Sequence, residues 1–137
     1  MIRRYHGRAA AFEEVPMRVL KAGDGETVER TGAPIFEGTV HGRALSEGLT
    51  DQVSASLVHF SPGAKTRPHR HPHDQLLYIV SGIGKVGAND EEHTVTAGDF
   101  VVIPAGESHW HGAADTGSPM THMTILLPGG GETIVEQ

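Results

Sequence analysis

The sequence predicts an all-β fold, an antiparallel sandwich or barrel of short strands. Its apolar residues alternate with polar ones over short segments, which is the period of strands rather than helices. The 18 Gly and 8 Pro residues separate these segments at spacings of roughly eight to twelve residues, typical of such folds. At 137 residues, one domain can bury roughly two-thirds of its unfolded surface.

The first region of the chain, residues 1–35, has the least regular pattern. It accommodates a short helix around Ala9 to Glu14 and an edge strand at Met17 to Lys21. We predict that residues 1–35 form an N-terminal arm that pairs across a dimer. Residues 36–137 then form the barrel.

Strands are predicted in the second region where an apolar segment ends in a turn sequence. Ser61-Pro62-Gly63 ends the first of them, Ser81-Gly82 the second, and the polar residues 89–92 form a hairpin turn. In chain order the predicted strands are Val53 to Phe60, Gln75 to Val80, Lys85 to Ala88, His93 to Val95, Phe100 to Ile103, and Met120 to Leu127.

Histidines in the middle of the chain form the most informative pattern. His69 and His71 are two residues apart, as are His109 and His111, and residues two apart on a strand point to the same face. Gln75 adds an oxygen donor. Imidazoles and one oxygen donor on separate strands suit a transition metal that keeps open positions for a substrate. We therefore predict one divalent ion bound by His69, His71, Gln75 and His109.

The predicted ligand set carries no charge, because Gln75 supplies an amide oxygen. Such a set leaves the ion more Lewis-acidic and favours an anionic substrate or hydroxide. Ligand chemistry alone keeps Mn, Fe, Ni, Cu and Zn as candidates. His73 follows Pro72, which breaks the strand alternation, so we expect His73 to point away from the ion.

Two further histidines are candidates for proton transfer. His111 shares a strand face with His109, and His122 lies in the last predicted strand. An imidazole beside a cation stays neutral and can act as a base. The alternative for each is a buried histidine that only donates a hydrogen bond. Trp110 alternates with these histidines, so we expect it to pack outside the barrel.

The first histidine pair lies in a segment with a recognisable frame. Gly63 is followed after five residues by His69-x-His71, then by Gln75, and after six more residues by Gly82. This segment resembles the first of the two motifs of the cupins, with Gln75 where that family usually has Glu.

A second segment matches the other cupin motif. Gly98 is followed after five residues by Pro104-x-Gly106 and then by His109, with Ala113 where the motif ends in Asn. The resemblance covers roughly residues 53–127. It implies a double-stranded β-helix, the jelly-roll barrel of this family.

A narrower resemblance rests on Gln75 together with residues 109–113, His-Trp-His-Gly-Ala, and 120–122, Met-Thr-His. These features are similar to a group of small single-domain bacterial cupins. The group includes the manganese-dependent hydroxynitrile lyases and the cupins associated with carboxymuconolactone decarboxylase-type proteins. The resemblance implies manganese as the metal, His111 near the substrate, His122 as the acid/base, and a homodimer.

These observations predict a mononuclear metal enzyme that acts on a small oxygenated molecule. The reaction would combine Lewis-acid and histidine acid/base chemistry and be lyase-like, with hydroxynitrile-lyase-like C–C cleavage as one form. Two alternatives stay open. A cupin dioxygenase would need Fe, Cu or Ni with two adjacent open positions, and a non-catalytic cupin would sense a metal or a ligand.

Composition restricts the partners. A net charge of −6 with neutral His argues against binding to nucleic acid or to anionic membranes. No apolar segment approaches the length of a membrane span or the core of a secretory signal. The absence of Cys excludes disulfides, thiolate ligands and Cys nucleophiles. We expect a cytoplasmic protein with a small-molecule substrate and no bound dinucleotide.

Overall fold

The computed structural model describes residues 4–5, 8–9, 16–127 and 131–136. Within these ranges every strand pair is antiparallel, and the helical structure is one 3-10 turn, so the all-β prediction is confirmed. The elements are β1 Arg4–Tyr5, β2 Arg8–Ala9, β3 Val28–Glu29, β4 Phe36–Glu37, β5 Val40–Ala44, β6 Ser54–Phe60, β7 Lys65–Thr66, β8 His69–Arg70, β9 Gln75–Ala88, β10 Glu91–Thr96, β11 Phe100–Ile103, β12 His109–Gly112, the 3-10 turn Ala114–Thr116, β13 Met120–Leu126 and β14 Ile134–Val135.

Strand β9 belongs to two sheets. Its first half pairs with β11 and β13, and that sheet continues through β6, β5 and β3. Its second half pairs with β10 and β12, and β12 continues to β7 and β8, which in turn pair with β4 and β14. The two sheets therefore fold over one another along a shared strand.

The predicted end of a strand at Ser81-Gly82 is wrong, because β9 bends there and continues to Ala88. Gly82 has a φ of 80°, a conformation that glycine adopts without the strain of a side chain. A Cβ at Gly82 would also overlap the backbone carbonyl of Pro119. The glycine thus permits a bend between sheets rather than ending a strand.

The other predicted strands agree closely with the structure. Phe100–Ile103 has the predicted bounds, and the strands that begin at Ser54 and Met120 each differ by one residue at one end. The hairpin is also confirmed, although its turn is reduced to Asn89 and Asp90 because β10 already begins at Glu91.

The N-terminal region differs from its prediction. Residues 10–14 of the predicted helix lie outside the described residues, and Ala9 belongs to β2. Met17 to Lys21 form no strand; the edge strand of this region is β3, paired with β5. The boundary at residue 35 and the dimer contact stay predictions. Among the described residues, no helix has the length and apolar character needed to cross a membrane.

The interior between the sheets has an apolar and a polar part. The apolar core is formed by Val40, Phe60, Ala64, Leu77, Ile79, Val86, Val95, Ile103, Ala113 and Met120. Beside it lie seven buried polar residues, Thr66, His69, His71, Gln75, His109, His111 and His122. Burying so many polar groups is unfavourable unless each has a partner. The stability of this interior therefore depends on what the histidines contact.

Candidate metal centre

Strand pairing brings the two histidine segments together. His69 on β8 is the direct cross-strand neighbour of His109 on β12. Gln75, the first residue of β9, pairs with Ile103 at the end of β11, and the loop from β11 leads into β12. The distant segments around His69 and His109 therefore converge because β12 lies between β8 and β9.

Three imidazoles form a buried cluster that could hold a metal ion. Each of His69, His71 and His109 offers one nitrogen within 4.8 Å of the others, and all three side chains are buried. Gln75 is buried beside them, with its Oε1 2.8 Å from His109 Nε2. All four residues predicted to bind a metal thus lie together. His73, predicted to point away, lies outside this group.

Backbone carbonyls orient two of the imidazoles. His69 Nδ1 donates to the Arg67 carbonyl at 2.7 Å, and His109 Nδ1 donates to the Glu107 carbonyl at 2.9 Å. Because a carbonyl only accepts, each bond fixes the proton on Nδ1 and leaves a lone pair on Nε2. This is the arrangement found in metal-binding histidines.

Burial keeps the imidazoles neutral. It lowers the pKa of His69 to about 3, and it also lowers the pKa of His71 and of His109. Neutral imidazoles are the form that binds a metal. The cluster is therefore ready for a cation at neutral pH without first losing protons.

Two features of the cluster fit a bound cation and are unfavourable without one. His109 faces oxygen acceptors at both ring nitrogens, the Glu107 carbonyl and Gln75 Oε1, but a neutral imidazole has only one N–H. His71 Nε2 is buried without a hydrogen-bond partner. A cation would satisfy all of these lone pairs, so the residues present fit a divalent transition metal.

The two histidines predicted to transfer protons form a pair next to the cluster. His111 and His122 are buried, and His111 Nδ1 lies 2.9 Å from His122 Nε2. His111 is the nearer one to the cluster, with its ring centroid 5.2 Å from that of His69. Phe60 packs against both rings of the pair.

The pair can hold its protons in two ways. Two neutral imidazoles have two N–H groups, of which one forms the bond between His111 and His122. The other proton lies on His111 Nε2 if His122 donates, and on His122 Nδ1 if His111 donates. Neither of these outer nitrogens has a partner among the described residues. A proton accepted at one end can therefore be released at the other.

The pH dependence of stability should report on His122. Burial lowers its pKa from 6.5 to about 4, so below pH 6.5 the unfolded chain takes up a proton that the folded chain resists. The unfolding free energy of the metal-free protein should therefore fall between pH 6.5 and 4, with His122 contributing up to about 3 kcal/mol. In denaturant titrations, His122→Gln should lessen this fall of the unfolding free energy with pH. An unchanged pH dependence would contradict the assignment to His122.

Three cavities border this region. One of about 440 Å³ reaches His109 and is lined by apolar and acidic residues of β9, β10 and β11. One of about 280 Å³ is lined by His71 and Thr133 among others. The third, of about 500 Å³, is lined by Val58 and Thr124 among others. Val58 is the cross-strand neighbour of His122, and Thr124 Oγ1 accepts a hydrogen bond from the Gln75 amide at 2.7 Å. The wall of this third cavity thus includes one neighbour of the histidine pair and one neighbour of Gln75.

Trp110 lies on the other side of its strand from the buried histidines, as predicted. Its indole packs on Gly87, where a Cβ would overlap the ring, and Lys65 Nζ lies 5.0 Å from the ring centroid. Gly87 is the last glycine of a Gly-x-Gly-x-x-Gly sequence, residues 82–87, all within β9. These glycines therefore serve strand packing, without the helix that a dinucleotide site requires.

Two threonines beside the cluster are not among the residues predicted from the sequence. Thr124 lies two residues after His122 on β13, so strand alternation could have placed it on the inner face. Thr133 Oγ1 lies 2.7 Å from His71 Nδ1. Nothing in the sequence near Thr133 indicates this contact, because it depends on β14 pairing with β8.

Comparison with known proteins is consistent with this architecture. Residues 56–126 match the sequence model of the Cupin domain family. A stretch of 77 residues is 44% identical to (R)-mandelonitrile lyase of Granulicella tundricola, covering 53% of this chain and 56% of that protein. The chain thus matches little more than half the length of this curated relative.

Solved structures show the same fold. A cupin-like protein of Thermotoga maritima superposes with a TM-score of 0.73 at 29% identity, over 81% of this chain and 86% of that chain. The polyketide cyclase RemF of Streptomyces resistomycificus superposes with a TM-score of 0.76 at 18% identity, over 89% and 87% of the two chains. The predicted jelly-roll barrel is thereby confirmed.

Proposed function

Because this chain belongs to the Cupin domain family, we propose that it is a mononuclear metal enzyme that breaks a C–C bond in a small hydroxylated molecule. The observation that carries the proposal is the buried cluster of His69, His71, His109 and Gln75 beside a separate histidine pair. A metal cluster alone would suit a sensor equally well. The buried pair adds a group that can move a proton, which a lyase needs and a sensor does not.

The proposed substrate is a cyanohydrin, the class to which mandelonitrile belongs. The relative from Granulicella tundricola bears the name (R)-mandelonitrile lyase, and its 44% identity supports related chemistry. Cleavage of a cyanohydrin removes the hydroxyl proton, breaks the bond between the carbinol carbon and the nitrile, and yields an aldehyde and hydrogen cyanide. Protons balance, because the one removed from the hydroxyl is returned to cyanide.

His69, His71, His109 and Gln75 would hold the ion, which we propose to be manganese, with Fe, Ni, Cu and Zn as the other candidates. When bound, the ion would supply Lewis acidity that polarises the substrate oxygen. The uncharged ligand set supports this role, because no protein carboxylate offsets the charge of the ion.

The His111–His122 pair would carry the proton. One outer nitrogen of the neutral pair has a lone pair, which can accept the hydroxyl proton, and the other has an N–H, which can protonate cyanide. The cavity of about 500 Å³ would hold the body of the substrate. Its wall includes Val58 beside His122 and Thr124 beside Gln75, so a bound molecule would contact a neighbour of each set of residues.

The proposal is tested with the purified chain stripped of metal and reloaded separately with Mn²⁺, Fe²⁺ or Zn²⁺. We expect one ion per chain and release of benzaldehyde and cyanide from (R)-mandelonitrile, lost with a chelator and restored by the metal. A chain that binds one ion but releases no aldehyde above the buffer rate would contradict the lyase function. Oxygen consumption by the Fe²⁺-loaded chain would then favour a dioxygenase. Absence of any turnover would favour a sensor.

A further inference from the structure

The last described strand, β14, lies against the segment that carries two histidines of the cluster. It pairs with β8, with Val135 opposite His69. The backbone N–H of Glu136 donates to the Pro68 carbonyl at 2.8 Å. We call residues 133–136 the C-terminal clamp, because they continue the sheet directly beside the cluster.

The clamp is also held by its side chains. The Glu136 carboxylate accepts a hydrogen bond from Ser108 Oγ at 2.9 Å and lies 3.4 Å from an Arg70 guanidinium nitrogen. Ser108 immediately precedes His109, and Arg70 lies between His69 and His71. One carboxylate therefore ties the clamp to both histidine segments.

The imidazoles of the cluster differ in what holds their Nδ1 atoms. His69 and His109 each donate to the backbone carbonyl two residues earlier, a contact within the same short segment of chain. His71 instead contacts the Thr133 hydroxyl, 62 positions later in the chain, at 2.7 Å. The orientation of His71 thus depends on the clamp.

A hydroxyl differs from a carbonyl because it can donate as well as accept. If His71 Nδ1–H donates to Thr133, Nε2 keeps the lone pair that a metal requires. If the Thr133 hydroxyl donates to Nδ1, the proton of His71 lies on Nε2, which then cannot bind a metal. His71 Nε2 has no other partner among the described residues, so an ion at the cluster would select the first arrangement.

We propose that the C-terminal clamp is part of the metal centre, with Thr133 as the positioning residue that holds His71 in its metal-binding orientation and tautomer. The inference rests on the metal-binding part of the proposed function and is independent of the lyase reaction. Outer partners of this kind orient the ligand and raise its basicity, and their loss weakens metal binding by about 10- to 100-fold.

The test compares Thr133→Val, which keeps the shape but removes the hydroxyl, with Thr133→Ser, which keeps the hydroxyl. Dissociation constants for Zn²⁺ are measured by competition with a chelator. We expect Thr133→Val to bind about 10- to 100-fold more weakly than the wild type, and Thr133→Ser to bind almost as tightly. The absorption spectrum of the Co²⁺-loaded chain should change in the valine variant and be restored in the serine variant.

Equal affinities for the wild type and Thr133→Val would overturn the proposal, as would equal losses in both variants, which would indicate packing rather than hydrogen bonding. Should the valine variant fail to fold, long-range ¹H–¹⁵N spectra of the metal-free wild type decide the matter, because no ion then sets the tautomer of His71. His71 must then carry its proton on Nδ1, and a proton on Nε2 contradicts the proposal.

Weaker binding in Thr133→Val alone, without lyase activity in any variant, would support the role of the clamp and reject the lyase function. No ion bound by the wild type would reject both.

Discussion

His69→Ala is expected to abolish stoichiometric metal binding and, with it, lyase activity. His69 is the central imidazole of the cluster, with ring centroids 4.2 Å from that of His109 and 4.9 Å from that of His71. Its Nε2 lone pair is fixed by the bond from Nδ1 to Arg67. The loss of affinity should exceed the factor of about 100 that marks the upper end for partners outside the ligand set.

The matched control is His93→Ala, because it removes a histidine that is exposed and lies outside the cluster. Elemental analysis after loading and desalting should give about one ion per chain for the wild type and for His93→Ala, and almost none for His69→Ala. Circular dichroism checks that all three chains are folded. A folded His69→Ala chain that still retains one ion would exclude the proposed metal centre.

Much of this centre could be predicted because it depends on a local rule. Alternation along strands places His109 and His111 on one face, and both are buried while Trp110 between them is less so. The same rule was only partly applicable to the first pair, since β8 ends at Arg70 and His71 lies just beyond it. The spacing of the surrounding motif, rather than alternation alone, indicated that His71 belongs to the cluster.

The parts that could not be predicted depend on contacts between distant segments. Thr133 reaches His71 only because β14 pairs with β8, and the short sequence of β14 does not indicate its partner. The sequence predicts the end of a strand at Gly82 because glycine is common in turns. Its actual role, a bend at the point where the chain meets Pro119, requires knowledge of which segment lies opposite.

Within the proposed mechanism, His122→Gln should separate proton transfer from metal binding. A glutamine amide can retain a hydrogen bond to His111 Nδ1, which His122 Nε2 makes at 2.9 Å, but it cannot take up a proton at neutral pH. Cyanohydrin cleavage should therefore slow by about 10²- to 10⁴-fold in kcat/KM, the usual contribution of a general acid or base. The metal content should stay at that of the wild type, because His122 lies outside the cluster.

His59→Gln is the matched control for this variant. His59 lies on β6 and bonds through Nδ1 to Thr121 on β13, and strand alternation puts both on the opposite side of the sheet from His122. It therefore changes the same chemical group at a neighbouring position without altering the interior. Rates measured in parallel with metal analysis should fall only for His122→Gln. If both variants cleave as fast as the wild type, proton transfer does not pass through His122, and His111 alone would have to serve as the base.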